Sequence, residues 1–493
     1  QLGRIYKAQK QWEEAFCPYE RAATYLQLVQ NTYAYPGVSQ TFRESKENFY
    51  LDRADFLIQT ARIANQEWHD LAKEQSLLNS AIQTIELLKE TELQNYFQDD
   101  CITEKKFPKK EAESPKKLPV EIATKMAVLY IFLFDKRVEL LLSSQNGNIQ
   151  SFPVHEKTRS WVIQQAKNFA KKVGELSFQN KRRDSLGELG CNDINYTMEQ
   201  KFEKCSFDER IDYRLERGEL YNTFFPKDLV KTLDNKQIDT LIIVPDSELL
   251  GLPFAALWDG QKYLVEKYAL AIAYNSKVGI YSLVPGTVQK TTTTLLNGLT
   301  DSINGAQTQL DDIETLVDAR RPLLTDREFT VSNVGDQLKT GIYSVAHFVT
   351  HGHFEEGTPT GAYLEVYDNK KLTMDDLESF INFSIQEKDK PLDLLSLSAC
   401  QSALGDKNSQ LGLAGIAVKA GSHSALGTLW LVYDVSTTQL IIEFYKGLSQ
   451  RSDSFAKALQ QAQLTLLHPE KDGTENFLDP YFWAGFILVG GIE

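Results

Sequence analysis

From Thr240 to Val489 the sequence repeats one device: a short run of aliphatic and β-branched residues, followed by a stretch with apolar positions at helical spacing. The runs are Thr240–Val244, Ala269–Tyr274, Thr293–Leu296, Tyr343–Val349, Leu392–Leu397, Ser424–Leu429 and Phe486–Val489, and helices are expected near 309–321, 411–420, 435–450 and 453–467. Strands that are apolar along their whole length must be buried on both faces, and intervening helices supply the cover. This part of the chain therefore reads as α/β, a sheet with helices on both faces. Open sheets of this type gather their chemistry at the carboxyl ends of strands, where side chains from separate strands converge.

The earlier part of the chain is of a different kind. Leu2, Gly3 and Tyr6, then Ala15, Tyr19 and Ala22, match the spacing of the two helices of one tetratricopeptide repeat (TPR), in which small residues let the helices approach and larger ones fill the groove. Apolar positions keep helical spacing through 41–98 (Phe49, Phe56, Ile63; Leu77, Ile82, Ile85, Leu88), so further helices are expected, and a helical bundle with a chance match stays open beside the repeat reading. Residues 103–119, TEKKFPKKEAESPKKLP, are rich in lysine and proline and read as a linker. Beyond it, Ala127–Phe134 and Arg137–Leu142 look like a hairpin closed at Asp135-Lys136, followed by a turn at Asn146-Gly147, a helix over 156–178 and a polar loop or insertion over 181–215. The expected division is an all-α, TPR-like domain over 1–102, truncated at its start because the chain opens on Gln1, then the linker and an α/β domain over 120–493.

Charge and composition remove several classes of function. The chain carries 53 Lys+Arg against 67 Asp+Glu, and a net charge of −14 argues against nonspecific binding to nucleic acid or anionic membrane. Apolar runs such as Leu129–Phe134 fall far short of the roughly 18 residues a spanning helix needs, so no membrane partner is expected. Five scattered cysteines, Cys17, Cys101, Cys191, Cys205 and Cys400, suit a reducing compartment better than a disulfide framework, and the expected location is cytoplasmic. The phosphate loop, the G-x-S-x-G elbow and H-E-x-x-H are absent, and no cofactor is expected. The basic clusters Lys105–Lys117 and Lys181–Arg183 read as solvated segments rather than nucleic-acid patches.

Two strand ends carry reactive residues. His351 and Gly352 follow one buried run in VAHFVTHGHF, and Cys400 ends another in LDLLSLSACQSALG. A thiol nucleophile needs an imidazole close by to generate the thiolate, and the tetrahedral oxyanion needs preorganised backbone N–H donors. The N–H groups of Gly352 and Cys400 are the candidate donors. On position alone, an inert buried cysteine and a satisfied strand-end histidine explain the same residues.

The segments LIIVPDSELLGLPFAAL (241–257), VAHFVTHGHF (345–354), LDLLSLSACQSALG (392–405), GLAGIAVKAGSHSALGTLWLVYD (412–434) and DPYFWAGFILVGG (479–491) resemble, in order, the motifs of CHAT domains. That family is related to caspases and separases and is usually joined to TPRs. The resemblance covers roughly 120–493 and implies a caspase-hemoglobinase-like sheet covered by helices, with a catalytic histidine at His351 and a catalytic cysteine at Cys400. Gln401 departs from the acidic residue that the family often has after the cysteine. The resemblance further implies that Asp434 occupies the place of a separase acidic residue that receives a basic side chain before the scissile bond, with Trp430 lining the same pocket. Asp434 capping a helix from Val435, and Trp430 merely packing, are the alternatives. Asp246, also after a strand, reads as a turn residue. His347, His351 and His353 have a spacing that places three zinc ligands on one strand face, but His347 lies in the apolar run, reads as a packed histidine, and no metal is expected.

The expected function is a regulated cysteine endopeptidase that cleaves a protein partner, with the helical domain binding a partner or regulator. A non-catalytic scaffold, or an element that processes only its own chain, are the alternatives.

Overall fold

The computed structural model describes residues 1–32, 40–97, 125–144, 147–174, 214–274, 293–319, 323–353, 363–388, 392–400, 422–430, 432, 434–451, 454–469 and 477–490. The linker at 103–119, most of the stretch at 181–215, the helix expected at 411–420 and Gln401 lie outside them. The described residues divide into two compact units, one within 1–113 together with 148–150, the other within 114–147 and 151–493. Among the described residues no helix is long and apolar enough to cross a membrane.

The first unit contains α1 (Leu2–Ala8), α2 (Trp12–Thr32), α3 (Gln40–Gln66) and α4 (Leu71–Phe97). A side chain at position 3 would come within 2.9 Å of the Tyr19 ring, so the approach of α1 to α2 requires Gly3. Tyr19 stacks on Phe56 at 4.7 Å between centroids. Its hydroxyl donates to Asp52 at 2.6 Å, and Lys7 and Arg4 donate to the same carboxylate at 2.7 and 2.9 Å. Burial alone would raise the Asp52 carboxyl; the bonds from Lys7, Tyr19 and Arg4 outweigh it and hold the group below its ordinary range.

Among the described residues, the second unit is built on a sheet of fourteen strands: β1 (Met126–Phe134), β2 (Arg137–Ser144), β3 (Ile149–His155), β4 (Thr240–Val244), β5 (Ala269–Ala273), β6 (Thr293–Gly298), β7 (Asp318–Ala319), β8 (Leu324–Thr325), β9 (Val345–His353), β10 (Tyr363–Val366), β11 (Lys370–Thr373), β12 (Leu392–Cys400), β13 (Ser422–Thr428) and β14 (Phe486–Gly490). The order is β11-β10-β9-β12-β13-β14-β5-β4-β1-β2-β3, with β6 paired to β9 and to the short β7 and β8. Its helices are α5 (Arg159–Gly174), α6 (Arg214–Phe224), α7 (Lys227–Asn235), α8 (Ala306–Leu316), α9 (Val331–Leu338), α10 (Met374–Lys388), α11 (Asp434–Lys446) and α12 (Phe455–Leu467), with one-turn helices at Leu264–Lys267 and Pro480–Trp483. The expected class, a mixed α/β sheet with helices preceded by a helical region, is the observed one.

Strand direction divides this sheet into two blocks. β6, β9, β12 and β13 are mutually parallel, as are β14, β5, β4 and β1, but β13 and β14 run antiparallel. The carboxyl ends of the two blocks consequently open on opposite edges. β9 is longer than its apolar run: β6 pairs with it from Val345 to Val349, then β10 pairs with Gly352 and His353, so the ladder continues past the point where β6 stops.

Asp246, after β4, lies on the edge opposite that of β9 and β12. It accepts from the Glu248 N–H at 3.1 Å, the turn role expected of it, and from Arg159 at 2.6 and 3.3 Å. Arg159 also donates to the Leu133 carbonyl at 2.9 Å, joining the start of α5 to the ends of β1 and β4. Removing one partner of a largely buried pair leaves the other charge uncompensated. Arg159→Met is expected to destabilise the chain by about 3 kcal/mol in denaturant unfolding, and adding Asp246→Asn to recover part of the loss.

Candidate active site

The apolar character of LDLLSL and VAHFVT draws β12 and β9 together as neighbouring, fully covered parallel strands. Their register runs from Leu394 opposite Val345 to Cys400 opposite His351. Residues far apart in sequence thus become cross-strand partners, on strands roughly 4.8 Å apart. His351 is half-buried and Gly352 is buried opposite Leu364 of β10. The two residues expected to form the dyad are therefore the last register pair of β9 and β12.

Beyond His351, His353 stacks on Tyr363 with 4.6 Å between ring centroids and lies 3.6 Å from the Glu365 carboxylate. On the same side Thr350 donates to the Glu365 carbonyl. These contacts fix the backbone on both flanks of His351 and were not foreseen from the sequence. The alternation of His351 with His353, followed by an aromatic and an acid at 363 and 365, was the available signal.

β13 lies on the other side of β12 and is parallel to it, so its carboxyl end opens on the same edge. Trp430 and Asp434 follow it. Trp430 is fully buried, donates from its indole N–H to the Tyr481 carbonyl at 3.0 Å and stacks on the Tyr481 ring. A side chain at position 485 would come 2.7 Å from its ring, so Gly485 is what admits it. Of the two roles open to Trp430, these contacts describe packing. Asp434 is the half-buried first residue of α11, where a carboxylate meets the positive end of the helix.

The third histidine of the strand is not arranged as a ligand. His347 is fully buried; its Nδ1 lies 2.8 Å from Ser396 Oγ and its Nε2 3.1 Å from the Gln309 amide nitrogen. Tyr445 packs edge-on against the imidazole at 5.4 Å. With both ring nitrogens engaged, His347 is a packed histidine, and among the described residues no three His, Cys, Asp or Glu side chains converge as a metal site. Burial pushes the imidazole down to about 3 and pushes the Tyr445 hydroxyl up.

The sequence matches the CHAT domain family over residues 216–491, more than half of the chain. The chain belongs to the CHAT domain family. Among solved structures, this CHAT protein is similar to separase in the Saccharomyces cerevisiae separase–securin complex, at 11% identity and a TM-score of 0.48, covering 97% of this chain and 40% of that one. It is also similar to the Arg-specific cysteine proteinase gingipain R (RgpB), at 11% identity and a TM-score of 0.37, covering 56% of this chain and 67% of that one. A complex of the Porphyromonas gingivalis RgpB pro- and mature domains gives a TM-score of 0.37 at 10% identity, covering 56% and 68%. Among curated proteins no relative matches the sequence. The helical unit lies outside the family match.

The buried imidazole has a consequence for stability. Its folded value lies below the ordinary 6.5, so the unfolded chain takes up a proton in the window between 6.5 and about 3 while the folded chain does not. The contribution is complete above the window, falls as pH falls through it and levels off below. The groups facing the ring, Gln309, Ser396 and Tyr445, carry no charge that would offset it. Denaturant unfolding across this range is expected to show stability rising with pH, and His347→Gln to flatten the slope by up to about one proton.

Proposed function

We propose that this CHAT domain is a cysteine endopeptidase in which Cys400 is the nucleophile and His351 its acid/base partner. The observation that carries the reading is their pairing as Cα partners at the carboxyl ends of adjacent parallel strands. The thiolate attacks the scissile carbonyl carbon, forming a C–S bond and an oxyanion that the N–H groups of Gly352 and Cys400 receive. Collapse breaks the C–N bond as protonated His351 gives its proton to the leaving amine. Water, losing a proton to His351, then attacks the acyl carbon, breaks the C–S bond and releases a carboxylic acid product.

Asp434, on the same edge, is the proposed carboxylate for a basic side chain before the scissile bond, by charge-assisted pairing. The helical unit is the proposed docking site for a protein partner or regulator, in the manner of a TPR. Its support is the repeat spacing around Gly3 and Tyr19 together with exposed apolar side chains at Ile5, Tyr25 and Leu71.

A cleavage screen on a diverse peptide library, with and without candidate partners, tests the reading. Cys400→Ala and His351→Ala are each expected to lower cleavage on the order of 10³-fold or more, with Asp434→Asn shifting preference away from Arg and Lys. Absence of Cys400-dependent cleavage under every condition, together with a Cys400 that no thiol-directed probe labels, would leave the scaffold reading.

A further inference from the structure

The chemistry proposed above uses one register pair of β9 and β12, yet a second pair four residues earlier is also polar. His347 and Ser396 are Cα partners, just as His351 and Cys400 are. Four residues along a strand is about 13 Å, so the earlier pair is too remote to touch a substrate bound at the dyad. Both of its side chains are fully buried, where a polar group must find a partner or cost about 1–3 kcal/mol.

The partners form a directed chain. The Gln309 amide donates to His347 Nε2, which must then be the unprotonated nitrogen, so the proton sits on Nδ1 and is donated to Ser396 Oγ. Gln309 Oε1 in turn accepts from Ser398 at 3.4 Å. Ser396, Ser398 and Cys400 occupy alternate positions of β12, as His347, Val349 and His351 do of β9. One amide from α8 therefore bonds both strands, on the run that leads to the dyad. Asn297 of β6 adds a donor to the His347 carbonyl at 3.1 Å.

We propose that Gln309, His347 and Ser396 are positioning residues, a polar register clamp that holds β9 against β12 so that His351 falls opposite Cys400. The inference rests on the peptidase reading. An apolar pair at these positions would pack as well in a slipped register as in the native one. The hydrogen-bonded pair does not, because a slip of β9 along β12 separates Nδ1 from Oγ and leaves buried donors unpaired. The clamp acts on the dyad through backbone placement, with no contact to the reacting atoms.

The test uses the full chain and follows iodoacetamide alkylation of Cys400 near neutral pH, quantified on the Cys400 peptide so that exposed Cys17 does not contribute. Ser396→Ala and Gln309→Leu are compared with wild type and with His351→Ala, and thermal midpoints are recorded for each. Both variants are expected to stay folded and to drop on the order of tenfold toward the His351→Ala rate, with Ser396→Thr returning to within about twofold of wild type. Folded variants that alkylate at the wild-type rate, while His351→Ala is slow, overturn the clamp and leave the dyad standing. Equal rates in wild type and His351→Ala overturn the dyad and the clamp with it. Should the truncations fail to fold, the side-chain 15N–1H spectrum of the wild-type protein decides: a proton on Nδ1 of His347 is required, and one on Nε2 alone reverses the direction of the chain and overturns the proposal.

Discussion

The parallel pairing of β9 and β12 is the contact on which the second unit is organised. It joins Leu394–Cys400 to Val345–His351, and β6, β10 and β13 are added to its flanks. Its apolar side chains are covered on both faces, which excludes water from the backbone ladder, and its buried polar side chains have partners: His347 has Ser396 and Gln309, Ser398 has Gln309, and Thr350 has the Glu365 carbonyl. Such a centre tolerates a neutral imidazole because every nitrogen has a partner; an unpaired one would cost more than the surrounding packing could offset.

The two edges of the sheet have been put to different uses. On the edge of β1 and β4, the Arg159–Asp246 pair draws a helix start and two strand ends together and closes the surface with charge satisfied on both sides. On the edge of β9, β12 and β13, the register sets His351 opposite Cys400 and β13 leads toward Asp434. Ion pairing finishes one edge, while the other carries the register pair His351 and Cys400, although both edges end strands of similar apolar composition.

The sheet strands were legible where burial is two-sided. Thr240–Val244 reads from the sequence with the bounds it has in the structure, Leu392–Leu397 falls inside β12, and Tyr343–Val349 overlaps β9 from Val345 onward, because short β-branched and aliphatic runs suit a strand covered on both faces. The edge strands were not legible: β10 alternates half-buried with buried residues over only four positions, and in β11 the exposed Lys370 and Lys371 give the last strand the polar surface that discourages further pairing. β3 was missed for a similar reason, its IQSFPVH carrying both exposed positions and a proline. His351 and Cys400 could be singled out because each ends an apolar run. Gln309 could not, since a glutamine within an amphipathic helix reads as surface, and its burial against His347 follows from a tertiary contact spanning 38 positions.

The reversal between β13 and β14 has a consequence for the order in which the molecule is assembled. β14 stands between β13 and β5, so the two blocks of the sheet meet through the strand that comes last among those described. During synthesis β4 and β5 emerge long before β9 and β12, yet neither block has its full set of neighbours until Phe486–Gly490 arrives. Pairings of such long sequence separation form slowly. A nascent chain holding both His351 and Cys400 would thus still lack the strand that joins the two blocks, and completion of the sheet would await the synthesis of Phe486–Gly490 rather than the appearance of its reactive residues.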